Sequence, residues 1–148
     1  MWIAGVEMTG SAAVLTFPHG LPGFERATRF VLRERASFAP VAFLECVDQE
    51  SLCFLVAPVA ALVEDYSISA AAEDLRAIGL DDSHQPVSGR DVLCLAILTA
   101  PQSGPLTANL LAPVVINKAT NTAVQAVRGD NRYSHQHAVV ALRSEATC

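Results

Sequence analysis

Short apolar segments cut apart by turn-forming residues constrain this chain more than any other feature. Residues 14–17, 30–35, 41–47, 52–57, 92–99, 114–116, 123–128 and 137–142 read as β-strands, nearly all separated by turn clusters. Two connections are short enough to make antiparallel neighbours: DQES, Asp48 to Ser51, and KATN, Lys118 to Asn121. One good helix pattern covers residues 69–78, with Ser69 as its cap, Glu73 and Asp74 in its first half and Gly79 just past its end. Several short strands with one short helix predict a mainly β fold: a small antiparallel β-barrel-like single domain, or two packed sheets, rather than alternating α/β units.

Two strings fix strand ends. In FPHGLPGFE, Phe17 to Glu25, Pro22 presets φ for the second turn position and Gly23 tolerates the positive φ that a type II turn requires next, so the chain reverses there. In TANLLAPVVIN, Thr107 to Asn117, Asn109 precedes an apolar run, Pro113 opens a strand where its missing N–H does little harm, and Asn117 closes it. The segment 85–90, with Pro86 and Gly89, reads as an exposed loop.

A chain of 148 residues with 51% hydrophobic and 17% charged residues buries a real core and is not disordered. Its net charge of -5 argues against nucleic acid as a direct ligand, because phosphate neutralisation needs clustered Lys and Arg, and favours a basic protein partner. The longest apolar stretch, 52–63, is too short to span a bilayer and is broken by Pro58, and MWIAGVEMTG lacks a basic leader region. A cytoplasmic protein with no membrane contact is expected. Cys46, Cys53, Cys94 and Cys148 form no C-x-x-C pair, and the first three lie in apolar runs, which predicts reduced core thiols rather than disulfides or metal ligands.

Catalytic signatures are missing from the chain. It has no G-x-S-x-G string, no P-loop and no G-x-G-x-x-G fingerprint, and Gly20 and Gly23 are too close together to cradle phosphate. Ser83 beside His84 reads as a solvated turn. His135 and His137 would share a strand face, but two ligands do not make a metal site. The carboxylate pairs Glu64 with Asp65, Glu73 with Asp74, and Asp81 with Asp82 lack the contrasting environments that acid and base catalysis requires. No enzyme activity, cofactor or metal is expected.

The two strings, about ninety residues apart by the numbering, resemble the flagellar assembly factor FliW family. FVL at Phe30 to Leu32, FLECVD at Phe43 to Asp48, EDYSI at Glu64 to Ile68, EDLRAIGL at Glu73 to Leu80 and YSHQH at Tyr133 to His137 are similar in order and spacing, so residues 1–148 are expected to form a single FliW-like domain. There are departures. MWIAGVEMTGS shows neither the Phe-Gly strand nor the acidic segment with which the family usually opens. Phe43, Leu44, Glu45 and Cys46 stand where Trp-Leu-Gln-Ser is common, and VAALVEDY after Pro58 is poorer in aromatics than usual.

The resemblance implies a protein-binding regulator that binds the translational regulator CsrA and also flagellin, relieving CsrA repression of flagellin synthesis. Such a switch rests on mutually exclusive or negatively coupled binding and needs no chemistry. The competing expectation is a small β-barrel that binds a ligand or catalyses a reaction through His84, His135 and the acidic loops. For the protein-binding reading, the candidate contacts are Phe43, Glu45, Asp48, Glu50, Glu64, Asp65, Asn109 and Asn117, with the hairpin carboxylates as the first choice because they flank apolar residues. Phe17, Phe24 and Phe43 also fit the apolar face of a strand, and Asn109 and Asn117 also fit strand ends. Arg33 and Arg35 would share a face if their strand forms.

Overall fold

The computed structural model describes residues 13–139. Its strands are β1 (Val14–Thr16), β2 (Arg29–Glu34), β3 (Ala42–Cys46), β4 (Cys53–Pro58), β5 (Val92–Thr99), β6 (Leu106–Asn117), β7 (Thr122–Gln125) and β8 (His137–Val139), with one α-helix, α1 (Ala72–Ala77). Strands β1 to β7 each pair with the next in sequence, and β7 pairs back onto β1, so the sheet closes into a barrel while β8 adds to the outer run of β6. Seven strands running alternately up and down cannot close antiparallel. The last contact, Thr16 beside Thr122, is accordingly parallel and brief.

Alternation along the strands sorts side chains into two cores. Leu15, Phe30, Leu32, Leu44, Val56, Leu95, Val114 and Ile116 fill the barrel. Their alternate neighbours Phe43, Leu55, Ala57, Cys94 and Val115 point outward, yet they are buried because α1, the 59–70 segment and the strand β8 cover that side. The outer layer explains why 51% of the chain is hydrophobic: one barrel wall is apolar on both faces.

The turn in FPHGLPGFE forms as the sequence predicts. Leu21 and Phe24 exchange backbone hydrogen bonds, at 3.2 and 2.7 Å, and Gly23 takes φ +85°. Gly20 is required on space as well, since a Cβ there would lie 2.4 Å from the Phe24 carbonyl oxygen. Both short hairpins are present, with Glu45 opposite Cys53 and Asn117 opposite Thr122.

Several expectations change. Strand β6 does not open at Pro113 but runs through it from Leu106. Opposite it the register jumps, Leu95 facing Val114 and Ile97 facing Asn109, so residues 110–113 bulge against Ala96 and the Pro113 nitrogen has no ladder bond with β5 to lose. Helix α1 starts three residues late and Ser69 does not cap it, because the Gln85 side chain binds both backbone groups of Ala70 and holds that stretch extended. Its end is as expected: Gly79 has φ +78°, Leu80 N–H donates to Leu75 at 2.9 Å and Gly79 N–H to Arg76 at 3.0 Å. Phe24 is exposed at the turn and only edges against Phe54. Cys46 and Cys94 are buried free thiols, but Cys53, half-buried where β4 begins, is disulfide-bonded. The expectations for the N-terminal segment, for residues 140–142 and for Cys148 lie outside the described residues.

Candidate functional site

Strand β4 separates the candidate acidic residues into two groups. The hairpin 48–51 precedes it and the segment 59–68 follows it, so the two lie about 20 Å apart, the rise of a six-residue strand. Near the start of β3, away from the hairpin, Phe43 is fully buried on the outer face, edge-on to Phe38 at 5.9 Å with the Arg35 guanidinium 4.8 Å from its ring centroid. It is a packing residue and offers no surface to a partner. Glu45 pairs with Arg33 at 2.6 Å and Asp48 with Arg29 at 2.6 Å. Arg29 and Arg33 share the outer face of β2, and this part of the barrel is therefore a mixed-charge surface rather than an acidic one. Glu50 is exposed on the hairpin.

The second end is different. After β4 the chain makes a 3-10 turn, Val59–Ala61, then passes Glu64 and Asp65, the latter at φ +55°. This segment and the loop 85–88 form the two walls of an open cleft of about 670 Å³. Val59, Val63, Ile68 and Pro86 supply apolar lining, Val87 stands 48% exposed at the edge, and Glu64 and Asp65 are exposed on the same cleft. The staple from Gln85 to Ala70, at 2.8 and 3.0 Å, ties one wall to the other.

The Glu64 wall is braced from behind by Arg128. Its side chain is 1% exposed and packs against one side of a touching pair of rings, Tyr66 and Tyr133, whose centroids are 4.5 Å apart; the guanidinium lies 5.1 Å from the first centroid and 4.7 Å from the second. It pairs with Asp130 through both oxygens, at 2.8 and 3.1 Å, and donates to the Ser67 carbonyl. This hydrogen-bonded pair holds the Asp130 carboxyl below its ordinary value and the Arg128 guanidinium above its own. Tyr66 donates its hydroxyl to the Leu110 carbonyl at 2.6 Å, and burial raises its pKa.

The two candidate asparagines hold this framework together. Asn109 Oδ1 accepts from the Ala112 N–H at 3.0 Å and shapes the bulge whose Leu110 carbonyl receives Tyr66. Asn117, 5% exposed, donates from Nδ2 to the Ile78 carbonyl at 2.7 Å and accepts from Ala119 N–H at 3.0 Å, fastening the end of α1 to the barrel. Sequence reasoning did not single out Arg128, which it placed at a strand end. The available signal was the pair of strings EDYSI and RGDNRYSHQH, each carrying one of the two rings that Arg128 packs against.

Little here suits covalent chemistry. Ser83 Oγ lies 3.3 Å from His84 Nδ1, but both are exposed on a turn. Burial pushes the Cys94 thiol up to about 12, far from a nucleophile's range. His135 precedes β8, so it does not share a strand face with His137. Among the described residues, no three His, Cys, Asp or Glu side chains stand where they could hold a metal ion, and no helix is long and apolar enough to cross a membrane.

Comparison with known proteins agrees with this architecture. Residues 4–139 match the family model described as FliW protein. The chain is 34% identical over 134 residues to the flagellar assembly factor FliW of Heliobacterium modesticaldum, covering 90% of this chain and 84% of that protein. It is 33% identical over 126 residues to that of Natranaerobius thermophilus, covering 84% and 80%. A crystal structure of the flagellar assembly factor FliW superposes with a TM-score of 0.71 at 26% identity, over 89% of this chain and 88% of the other. With matching strings, barrel and length, this chain belongs to the FliW family.

Proposed function

We propose that this protein is a cytoplasmic flagellar assembly factor that works by binding other proteins: it captures the translational regulator CsrA, is itself captured by flagellin, and so ties flagellin synthesis to flagellin export. The whole of residues 1–148 serves this one role as a single FliW-like domain. The observation that carries the reading is the family match across residues 4–139, joined to a relative's crystal structure that shares the fold over 89% of the chain. The charge balance of -5 supports a partner with a basic surface. The candidate acidic contacts divide unequally: Glu45 and Asp48 are engaged by arginines, which leaves Glu50 on the hairpin and Glu64 and Asp65 on the cleft, the latter two beside apolar lining.

Calorimetric titration tests the reading. The protein is titrated with CsrA and with flagellin from the same organism, then with each in the presence of the other. The expected result is binding to both, each weakening the other. Binding to flagellin alone would reduce the role to that of a chaperone, and no binding to either at micromolar concentration would overturn it.

A further inference from the structure

The cleft between segment 59–68 and loop 85–88 combines three properties. Its lining sets apolar side chains, Val63, Pro86 and Val87, beside polar ones, Ser67, Gln85 and Ser88. Its edge carries Glu64 and Asp65, which among the described residues make no ion pair, as is also true of the exposed Glu25, Glu50, Glu73 and Asp81 elsewhere, whereas Glu45, Asp48, Asp82, Asp91 and Asp130 each do. Its walls are held from within the fold, by the Gln85 staple to Ala70 on one side and by Arg128 against the Tyr66 ring and the Ser67 carbonyl on the other. A preformed groove with unpaired acids beside apolar lining fits a chain segment carrying basic and apolar side chains together.

We propose that this cleft is a docking groove for an extended protein segment in which a lysine or arginine stands next to apolar residues, the apolar side chains entering beside Val63 and Val87 and the cation meeting Glu64 and Asp65. The inference rests on the protein-binding reading above and names the place and the chemistry of recognition. A second copy of this chain is a poor occupant, because its own charge is -5. Nucleic acid is a worse one, since its phosphates would face the two carboxylates. The volume, about 670 Å³, lies within the range of grooves that enclose a few side chains.

Two variants of the full chain test the groove. Glu64→Gln with Asp65→Asn removes both charges, and asparagine tolerates the positive φ at position 65. Val87→Ser removes the exposed apolar contact. Glu45→Gln with Asp48→Asn on the far hairpin is the control, and thermal unfolding verifies that each variant is folded. Affinities for CsrA and for flagellin are measured beside those for a short fluorescein-labelled peptide interspersing lysine and leucine.

The expected result is that the double charge variant loses about tenfold in affinity for at least one protein partner, and more at low salt, while the hairpin control does not. Folded groove variants that bind both partners as tightly as the parent would overturn the groove and leave the proposed function standing. If the parent binds neither partner, the proposed function falls and the peptide decides the groove. Saturable peptide binding that both groove variants weaken would support it, and its absence would overturn it.

Discussion

Arg33 donates through Nε to Glu45 Oε1 at 2.6 Å across the register of β2 and β3, where Val31 faces Glu45 directly. Arg29 and Asp48 repeat the arrangement at the strand end. A hairpin that reads as acidic along the chain is thus neutralised by the strand beside it. Reversing Glu45 and Asp48 to lysine places like charges against Arg33 and Arg29. The expected cost is small, because both pairs are open to solvent. Urea unfolding at low and high salt checks this: the difference from the parent should shrink as salt rises.

Among the described residues Arg128 is the buried cation, and its loss should be felt more. Arg128→Leu leaves the Ser67 carbonyl and Asp130 without their donor and removes the contact with both tyrosine rings, an expected loss of about 3 kcal/mol in chemical denaturation. Arg128→Lys should recover only part of this, since an ammonium cannot reach Asp130 through two parallel bonds while keeping its contact with the rings. If the lysine variant matches the parent, the planar fork is not what stabilises the site.

The same pair sets an acid dependence. Hydrogen bonding from Arg128 lowers the folded-state pKa of Asp130 below its ordinary 3.8, so the folded protein holds this proton less tightly than the unfolded chain does. The resulting stabilisation is complete above the ordinary value and is lost as pH falls through the lower folded one. Asp130→Asn should therefore flatten the decline in stability on acidification below about pH 4. Denaturant midpoints across that window read the effect, and an unchanged slope would show that the pair does not contribute to it.

Asn117 ties two parts of the fold that are remote in sequence. Replacing it with alanine leaves the Ile78 carbonyl without its side-chain donor and removes the acceptor for Ala119 N–H, for an expected loss of about 2 kcal/mol. Amide hydrogen exchange should localise the change: α1 and the turn after β6 exchange faster while the β2 and β3 amides stay protected. Uniform loss of protection would mean that the contact supports the whole barrel instead.

Local chemistry was legible in the sequence where a residue answers to its immediate neighbours. Pro22 and Gly23 make their turn, Gly79 ends its helix, and both short loops close hairpins, because each needs only a backbone angle or a few residues of chain. Helix α1 begins late for the opposite reason, as Gln85 competes for the backbone of Ala70 from fifteen residues away. Pro113 reads as a strand opening until the β5 register shows a bulge opposite it. Phe43 and Phe24 follow similar strand and turn patterns, yet one lies under the outer layer and the other in solvent.

The sequence by itself determined the fold class and the family, because apolar periodicity, turn residues and motif order are properties of the chain read in one dimension. Tertiary structure alone decided which charges remain free. Arg29 and Arg33 reach the hairpin carboxylates only when β2 and β3 align, Arg128 finds its two rings only when distant segments fold over β6, and the cleft exists only between loops twenty residues apart. Charge pairing and enclosure depend on distances of a few ångströms, and those are set by the closure of the barrel.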